Sequence, residues 1–390
     1  MLCVIVDPVY SLASKTFRTV VMDQNRLSLL ALHFIPGIGN QIIRQLISYC
    51  GSADRVFKTP KGRLLRIPGV GDVTAQAIGT GKYFVSAEQE LRRAEKENAN
   101  LIFFTDKHYP SRLKQIVDAP SLLYTKGNID FENPKAVAIV GTRKSTDYGR
   151  DCVAELVSSL QKHNALIISG LAYGIDIQAH KHALKNGLPT VGIMGSGIDI
   201  MYPYSHLDTA KKMMANGGIV SENPLGTKPD AHNFPARNRI IAGLCDALIV
   251  VEAAIKGGAL ITAEIANTYN KDVLAFPGNV GRSYSEGCNG LIKANKAHLI
   301  TSIADLEYVM NWNENIKSPP KKEILNLDAY EPDEQSILKL LIENKCQLLI
   351  DELAWRSGFS IGKLASVLLT LEFKGVISTM PGNVYKLVKT

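Results

Sequence analysis

Short apolar runs rich in valine and isoleucine alternate with longer amphipathic stretches in the middle of the chain. The segments between most of these runs, such as 150–163 and 177–186, have the length and polarity pattern of helices. Strands that alternate with crossover helices predict a Rossmann-like α/β fold with a doubly wound, mostly parallel sheet. The strands are expected at residues 137–140, 166–168, 191–194, 218–220, 247–251 and 273–276.

Residues 26–56 and 60–95 look like two copies of one helical unit. Each copy has a helix-like stretch, a glycine-rich hairpin and a second apolar helix pattern, and the hairpins read Pro-Gly-Ile-Gly at 36–39 and Pro-Gly-Val-Gly at 68–71. The repeat resembles the helix-hairpin-helix element, in which two glycines let backbone N–H groups approach a DNA phosphate. The alternative is that the hairpins only pack a small helical domain.

The end of the chain predicts a separate domain. A segment at 313–322 holds two adjacent prolines and several lysines, which is typical of a domain boundary. Beyond it, the pattern predicts three short helices and a hairpin, the arrangement of a winged helix. We therefore expect an N-terminal extension at 1–22, a helix-hairpin-helix (SAM-like) domain at 23–98, a Rossmann-like DNA-binding domain at 99–312, a linker at 313–324 and a winged-helix domain at 325–390.

The composition excludes several classes of protein. Of the 390 residues, 46% are hydrophobic and 21% are charged, which fits a globular protein and not a disordered, collagenous or disulfide-knot chain. No stretch approaches the roughly 18 uncharged apolar residues of a membrane helix, so no membrane span is expected. The six cysteines are scattered without a CxxC pair, which indicates reduced cysteines in a cytosolic protein.

The net charge of +7 is distributed unevenly. Residues 1–130 carry 17 Lys and Arg against 11 Asp and Glu, and residues 131–300 carry 17 against 14. Residues 325–390 carry 7 against 8 and are slightly negative. The positive charge of the first three-quarters of the chain suits the binding of a polyanion. Duplex binding by the winged helix would need several basic side chains to neutralise phosphates. We therefore expect the last domain to contact mainly protein, or to bind duplex DNA only weakly.

Turns with glycine and hydroxyl residues follow four of the predicted strands. Gly141 permits a tight turn after the first of them, and Arg143 adds a bidentate phosphate donor. Hydroxyl and backbone N–H groups in such turns can hold an anion. Because the carboxyl ends of parallel strands share one edge of the sheet, the turns predict a phosphate-lined groove. Its candidate residues are Gly141, Thr142, Arg143, Lys144, Ser169, Gly170, Gly174, Gly195, Ser196, Gly197, Lys256, Gly257 and Gly258.

A further candidate lies just before a predicted apolar helix. Phe234 is followed closely by Arg237, Asn238 and Arg239. Arginines beside an aromatic ring form a plausible platform for single-stranded nucleic acid, with charge on the backbone and stacking on unpaired bases. The alternative is that Phe234 closes a loop onto the core.

Candidates for catalysis are few. The chain has neither a GxGxxG dinucleotide fingerprint nor a GxxxxGK[ST] phosphate loop. His180 and His182 are two residues apart on a predicted helix and so face different directions, which argues against a metal pair. Asp176 and Asp199 are interpreted as braces of neighbouring loops. Glu252, at a strand end, is either a catalytic carboxylate or an anchor for an arginine, and we favour the anchor.

Together these runs resemble the DNA-processing protein A (DprA, or Smf) family. The matching runs are Val-Gly-Thr-Arg at 140–143, Ile-Ser-Gly-Leu-Ala-Tyr-Gly-Ile-Asp at 168–176 and Gly-Ser-Gly-Ile-Asp at 195–199. Phe-Pro at 234–235 with Arg-Asn-Arg-Ile-Ile-Ala-Gly-Leu at 237–244, and Gly-Cys-Asn-Gly-Leu-Ile at 287–292, also match. The order and spacing hold from about residue 26 to 300, and the helical leader and winged-helix tail fit the longer members.

The resemblance implies a cytosolic, non-catalytic homodimer without a cofactor. It implies that the Rossmann-like domain binds single-stranded DNA and that the protein loads RecA onto it in natural transformation. Arg143, Phe234, Arg237 and Arg239 would be the main DNA contacts, with the glycine turns presenting backbone amides. The sequence departs from the family at 257–259, where Gly-Gly-Ala replaces the usual Ser-Gly pair and loses a hydroxyl.

Two other functions remain open from the sequence. Nucleotide phosphoribohydrolases with a related fold carry Pro-Gly-Gly-x-Gly-Thr-x-x-Glu where this chain has residues 252–263. This chain shares the paired glycines, with Glu264 directly after this segment, but it lacks the second Gly-Thr. A purely structural helix-hairpin-helix DNA clamp would instead predict that residues 1–98 bind DNA as well as the whole chain does.

Overall fold

Six helices lie between residues 24 and 96, and two glycine hairpins are repeated among them. In the computed structural model, which describes residues 24–312, 327–344, 347–380 and 384–388, Gly37 and Gly69 both have φ of +80°. Gly39 and Gly71 follow them in extended conformation and precede a helix. The two sequence repeats therefore fold into two hairpins of the same backbone shape. The helices are α1 (Gln24–His33), α2 (Asn40–Cys50), α3 (Ala53–Lys58), α4 (Lys61–Leu64), α5 (Asp72–Thr80) and α6 (Tyr83–Lys96).

A nine-stranded sheet follows, with helices on both of its faces. Its strands are β1 (Asn100–Phe103), β2 (Leu122–Asn128), β3 (Ala136–Val140), β4 (Leu166–Gly170), β5 (Thr190–Ile193), β6 (Gly217–Ser221), β7 (Ala247–Val250), β8 (Asp272–Ala275) and β9 (His298–Leu299). Its helices are α7 (Ser111–Lys114), α8 (Asp147–Ser159), α9 (Ile175–Lys185), α10 (Leu207–Met213), α11 (Asn233–Leu244), α12 (Gly258–Thr268), α13 (Glu286–Lys293) and α14 (Ile303–Val309).

The strand order is β1-β2-β6-β5-β4-β3-β7-β8-β9. The seven strands β6, β5, β4, β3, β7, β8 and β9 pair with their neighbours in parallel. Strands β2 and β1 extend the sheet beyond β6 with antiparallel pairing. The chain runs outward from β3 to β6 in one direction and then returns to β7 on the other side of β3. The order therefore reverses between β3 and β7, which is where ligands of doubly wound sheets bind.

The predicted fold class is confirmed, and all six expected strands are present. Along β3, Ala138 and Val140 face one core, whereas Val137 and Ile139 face the other, as the two-residue period of a strand requires. Strands β1, β2 and β9 were not predicted. A third core joins the helical domain to the sheet through residues such as Leu29 and Tyr124, so these two parts share buried apolar contacts.

The C-terminal residues form a compact unit of their own, separate from the unit that ends at Trp312. Three helices and a three-stranded antiparallel sheet enclose one apolar core, which confirms the winged-helix fold. The predicted extension at 1–22, the linker at 313–324 and the hairpin turn at 381–383 lie outside the described residues. The elements are α15 (Pro332–Glu343), β10 (Gln347–Leu349), α16 (Ile350–Ser357), α17 (Ile361–Phe373), β11 (Ile377–Met380) and β12 (Val384–Leu387). None of the helices in the described ranges is both long and apolar enough to cross a membrane.

Candidate nucleic-acid interface

A groove of about 800 Å³ lies at the carboxyl edge of the sheet, where the strand order reverses. The turn after β3, the N-terminal half of α11 and the turn before α12 form its walls. Many of the predicted residues line it, namely Gly141, Thr142, Arg143, Phe234, Arg237, Asn238, Lys256, Gly257 and Gly258. The fold thus brings together residues that are more than 100 positions apart in the sequence.

The turn that carries Arg143 is held on both sides by backbone hydrogen bonds. The N–H of Thr142 donates to the carbonyl oxygen of Glu252 at 2.7 Å, and the N–H of Ile175 donates to the carbonyl oxygen of Thr142 at 3.2 Å. Gly174 has φ of +77°, and a Cβ at this position would overlap the Thr142 carbonyl oxygen. Only glycine therefore fits both the backbone conformation and the close approach. The side chain of Arg143 itself is exposed.

Glu252 is buried and fixes the start of α8. Its carboxylate accepts hydrogen bonds from the backbone N–H of Thr146 at 2.9 Å and from the Thr146 hydroxyl at 2.6 Å. Gly149 leaves the space that the carboxylate occupies, since a Cβ there would overlap it. The sequence favoured Glu252 as an anchor for an arginine. The predicted partner was wrong, because the carboxylate of Glu252 binds Thr146 at the start of α8.

Phe234 lies beside two guanidinium groups. The Cζ atom of Arg143 is 5.5 Å from the centre of the Phe234 ring, and that of Arg237 is 6.0 Å from it. Both distances are within the range of cation–π attraction. Arg143 is exposed, whereas Arg237 is buried and donates a hydrogen bond to the carbonyl oxygen of Ile193. One arginine is thus available to a ligand, and the other is enclosed in the fold beside the ring.

Asp176 shares the buried environment of Arg237. A Cβ on Gly170 would meet both groups, so this glycine lets them lie close together. Burial raises the pKa of Asp176 to about 6, and the positive charge of Arg237 and a hydrogen bond from the backbone of Ala172 oppose this rise. The carboxyl group therefore titrates near neutral pH inside the groove.

Arg239 does not line the groove. Its guanidinium pairs with the carboxylate of Glu222, and burial raises the pKa of Glu222 against the effect of Arg239. Arg237 and Arg239 are two residues apart on α11, so they lie on different sides of that helix. The sequence placed both arginines on one platform, and the helical geometry separates them.

The hydroxyls that were expected to hold phosphate are turned into the fold. Ser169 donates to the carbonyl oxygen of Ile139 at 2.6 Å, and Ser196 donates to that of Ile200 at 2.7 Å. Asp199 accepts two contacts of 2.9 Å from the N–H of Gly226, so it ties the turn after β5 to the loop after β6. Outside the groove's lining lie Lys144, Ser169, Gly170, Gly174, Gly195, Ser196, Gly197 and Arg239, although Gly195 lines a small adjoining pocket.

The histidine candidates have structural surroundings. His180 is fully buried, and a neutral imidazole there donates from Nε2 to the carbonyl oxygen of Gly170 and accepts at Nδ1 from the Thr190 hydroxyl, both at 2.7 Å. Burial lowers the pKa of His180 to about 4. Within the described part of the chain, no group of three or more His, Cys, Asp or Glu side chains could hold a metal ion.

Sequence reasoning missed two aromatic residues of the groove, Tyr202 and Tyr284. Tyr284 lies in a loop beyond β8, and the hydrogen bond from the N–H of Ala253 to its carbonyl oxygen, at 2.8 Å, brings it beside the turn after β7. It also lines a neighbouring cavity of about 720 Å³. Nothing in the local sequence around Tyr284 indicates this position. Tyr202 follows the glycine turn after β5, and that neighbourhood was the available signal.

The two helix-hairpin-helix turns have different surroundings. Asn40, which begins the helix after the first hairpin, accepts hydrogen bonds from the N–H and the hydroxyl of Ser121 at 2.8 and 2.6 Å. This end of the first hairpin is therefore joined to the sheet domain. The turn glycines of both hairpins, Gly37, Gly39, Gly69 and Gly71, are exposed. Asn40 therefore attaches the helix after the first hairpin to the sheet domain, and the glycine turns of both hairpins are open to a partner.

Comparisons with known proteins agree on one family. Residues 100–311 match the family model of DNA recombination-mediator protein A, and residues 318–383 match that of the DprA winged helix domain. The Protein Smf of Synechocystis is 30% identical over 92% of this chain and 97% of its own length. The DNA processing protein DprA of Streptococcus pneumoniae is 36% identical over 69% of this chain and 93% of its own length.

Solved structures give the same result. The X-ray structure of DprA from Streptococcus pneumoniae superposes with a TM-score of 0.60 at 32% identity, covering 74% of this chain and 98% of that one. A structure of DNA processing protein A from Helicobacter pylori, described as giving insight into its single-stranded DNA binding mode, has a TM-score of 0.50 at 29% identity. It covers 55% of this chain and 96% of that one.

Proposed function

This chain belongs to the DNA recombination-mediator protein A family, and we propose that it binds single-stranded DNA in the groove at the carboxyl edge of its sheet without cleaving it. The observation that carries the proposal is the exposed guanidinium of Arg143 beside the ring of Phe234, at the mouth of the groove. This pair supplies a charge for a phosphate and a ring for a base, which are the two elements of single-strand binding. The Helicobacter pylori relative, whose single-stranded DNA binding mode has been described, supports the choice.

Two further features of the groove suit a strand of DNA. The turn before α12 forms one wall of the groove, which consists of Lys256 and the backbone of Gly257 and Gly258. Gly257 is the N-cap of that helix. Neither glycine has a side chain to keep a phosphate from the backbone N–H groups. Phosphate contacts carry no base information, so we expect affinity without strong sequence preference.

The absence of catalysis is also part of the proposal. The carboxylate of Glu252 is engaged by Thr146, that of Asp199 by Gly226, and the imidazole of His180 by Gly170 and Thr190. These groups hold loops together and are not free to act on a bound nucleotide. The competing function is hydrolysis of a nucleoside monophosphate, and Glu264, the residue that kept it open, forms an ion pair with Lys296 on the outside of α12.

Two experiments test this assignment. Photocrosslinking of a short oligothymidine to the full chain, followed by peptide mapping, should attach the strand to the segments around Arg143 and Phe234. Incubation with AMP should release no adenine. Crosslinks confined to residues outside the groove would refute the site, and sustained release of adenine at substrate excess would refute the non-catalytic function.

We further propose that the protein acts in the cytoplasm as a homodimer and loads RecA onto the bound strand. These properties rest on the family to which the chain belongs. The assay is the rate at which RecA filaments nucleate on DNA covered by single-strand binding protein, with and without this protein, and light scattering reports the oligomeric state. An unchanged nucleation rate at saturating protein would contradict RecA loading.

The winged-helix domain fits a different role, which we propose is contact with protein and at most weak duplex binding. Its third helix, α17, exposes Ile361, Leu369 and Phe373 on one side. The two lysines of this region are already paired, Lys363 with Asp333 and Lys374 with Glu334, at 2.8 and 2.6 Å. A recognition helix that reads duplex DNA needs free cations at this position.

A further inference from the structure

Three tyrosines are exposed beside the groove although none of them serves the core. The relative exposures of Tyr173, Tyr202 and Tyr204 are 51%, 49% and 77%. Tyr173 follows β4 and the other two follow β5, so all three come from the carboxyl edge of the sheet that also carries the groove. Neighbouring exposed rings of this size indicate a contact surface.

Tyr202 and Tyr173 are linked to the groove, and Tyr204 lies in the same loop as Tyr202. Tyr202 lines the groove, and its ring centre is 6.1 Å from that of Phe234. Tyr202 and Tyr173 both line the small pocket that adjoins the groove. The hydroxyl of Ser205, which follows Tyr204, donates to the Tyr173 hydroxyl at 3.3 Å. These contacts connect Phe234, Tyr202 and Tyr173, and Tyr204 is exposed in the same loop as Tyr202 and Ser205. We call Tyr173, Tyr202 and Tyr204 the tyrosine platform.

The charge around the platform distinguishes bases from phosphates. Residues 200–207 contain no Lys, Arg, Asp or Glu, and they are flanked by Asp199, whose carboxylate accepts from the N–H of Gly226, and by Asp208, which is exposed at the start of α10. Residues 200–207 offer a phosphate no charged partner, whereas a base stacks on any aromatic face. The exposed cations that attract the backbone are Arg143, which lines both the groove and the small pocket, and Lys256, which lines the groove.

We propose that the tyrosine platform is a stacking subsite for bases of single-stranded nucleic acid that continue beyond the groove. The inference rests on the proposed function, since the groove must first hold the strand. It assigns affinity for the backbone to the groove and affinity for the bases to the platform. The platform therefore lengthens the bound segment without adding a phosphate contact.

The His206 ring keeps the platform in place. Its centre is 4.9 Å from that of Tyr173 in an edge-on arrangement, and its Nδ1 contacts the carbonyl oxygen of Leu171 at 2.8 Å. Both loops are therefore tied to each other beneath the exposed rings. A ring held in one orientation loses little conformational freedom when a base stacks on it.

The test compares two oligonucleotides of equal length and charge, oligothymidine and the same backbone with abasic tetrahydrofuran residues. The variant that carries both Tyr173→Ala and Tyr204→Ala should bind oligothymidine about tenfold more weakly, the size expected for the loss of stacked bases. Its affinity for the abasic strand and its salt dependence should remain those of the unaltered protein. Tyr204→Phe, which keeps the ring, should bind as the unaltered protein does.

The control is Tyr308→Ala. Tyr308 is 81% exposed and follows Glu307, whose carboxylate contacts His163 just before β4 begins, so it lies at the opposite edge of the sheet. This variant should bind both strands normally. Thermal unfolding of all variants checks that the fold is retained.

Several outcomes would overturn the platform. Unchanged oligothymidine binding by the double variant, with weaker binding by Arg143→Ala, would refute the platform and leave the proposed function intact. An equal loss for both oligonucleotides would show that the tyrosines act through phosphates or through the fold. Loss of self-association with intact DNA binding would identify a protein interface instead. No binding of oligothymidine by the unaltered protein would refute both proposals.

Discussion

Arg143 and Arg237 lie against the same aromatic ring, that of Phe234, but only Arg143 is exposed. The guanidinium of Arg237 is buried with Asp176 and the carbonyl oxygen of Ile193 as neighbours. Its charge offsets that of a buried carboxyl group. Equivalent substitutions at the two positions should therefore have different effects.

Replacement of Arg143 by alanine should weaken binding to oligothymidine about tenfold, which corresponds to roughly 1.4 kcal/mol. The salt dependence should also become shallower by about 0.7 in the logarithmic slope, because one phosphate contact is lost. Fluorescence anisotropy at several salt concentrations measures both quantities. Lys144→Ala is the matched control, since Lys144 is exposed next to Arg143 and does not line the groove. An equal effect of the two substitutions would contradict the special position of Arg143.

Replacement of Arg237 by alanine should instead destabilise the fold by about 3 kcal/mol or more, because a buried charge partner of Asp176 is removed. Denaturant unfolding should show this loss, and any loss of DNA binding should follow it. Adding Asp176→Asn to Arg237→Ala should restore part of the stability. Weak binding by an Arg237→Ala variant of unchanged stability would assign this arginine to direct DNA contact.

Single-strand binding should become tighter as the pH falls from 7 to 5. The pKa of Asp176 is raised to about 6, so the groove loses a negative charge over this range. One charge roughly 8 Å from a phosphate, at an effective dielectric constant of about 60, changes affinity about threefold. Oligothymidine is the suitable ligand because thymine does not titrate in this range. Asp176→Asn should bind with nearly constant affinity, and an unaltered pH profile in this variant would exclude Asp176 as the source.

The same carboxyl group affects stability with a definite sign. Its pKa is about 6 in the folded protein against an ordinary value of 3.8, so the folded state holds the proton more tightly. The contribution of Asp176 to folding therefore becomes less favourable as the pH rises from about 4 to 6 and is constant above that range. The difference in unfolding free energy between the unaltered protein and Asp176→Asn, measured across this range, should show this trend.

Gly174→Ala should distort the turn that carries Arg143. The residue has φ of +77°, and a Cβ would overlap the Thr142 carbonyl oxygen. We expect a loss of stability larger than the roughly 1 kcal/mol cost of a positive φ alone, together with weaker DNA binding. Gly187→Ala is the control, since Gly187 has φ of +69° and open space around its Cα. Equal destabilisation by the two substitutions would show that only backbone strain matters.

Removal of the winged-helix domain should leave single-strand binding unchanged within about twofold. A chain that ends at Trp312 keeps the entire compact unit that contains the groove. Gel shifts with oligothymidine and with a duplex of the same length, at about 150 mM salt, compare it with the full chain. A marked loss of duplex binding on truncation would show that the winged helix reads duplex DNA after all.

The strands were predictable because each is a short run of apolar residues buried on both faces. Val137 and Ile139 face one core and Ala138 faces the other. A strand that is buried on both faces is a continuous apolar run, which can be recognised from the sequence alone. Strand β9 has only two residues, His298 and Leu299. Two residues are too few to show the alternation of a strand, so the pairing of β9 with β8 could not be predicted from the sequence.

The sequence alone determined the fold class, the winged helix and the edge of the sheet at which the groove lies, because these follow from periodicity and from the direction of parallel strands. Only the tertiary structure decided which side chains face the groove. Arg237 and Arg239 are neighbours in sequence, yet helix geometry turns one towards Phe234 and the other towards Glu222. Tyr284 reaches the groove through a backbone hydrogen bond with Ala253, 31 positions earlier. The reason is that strand patterns depend on residues two positions apart, whereas the direction of a side chain depends on partners that the chain brings near only when it folds.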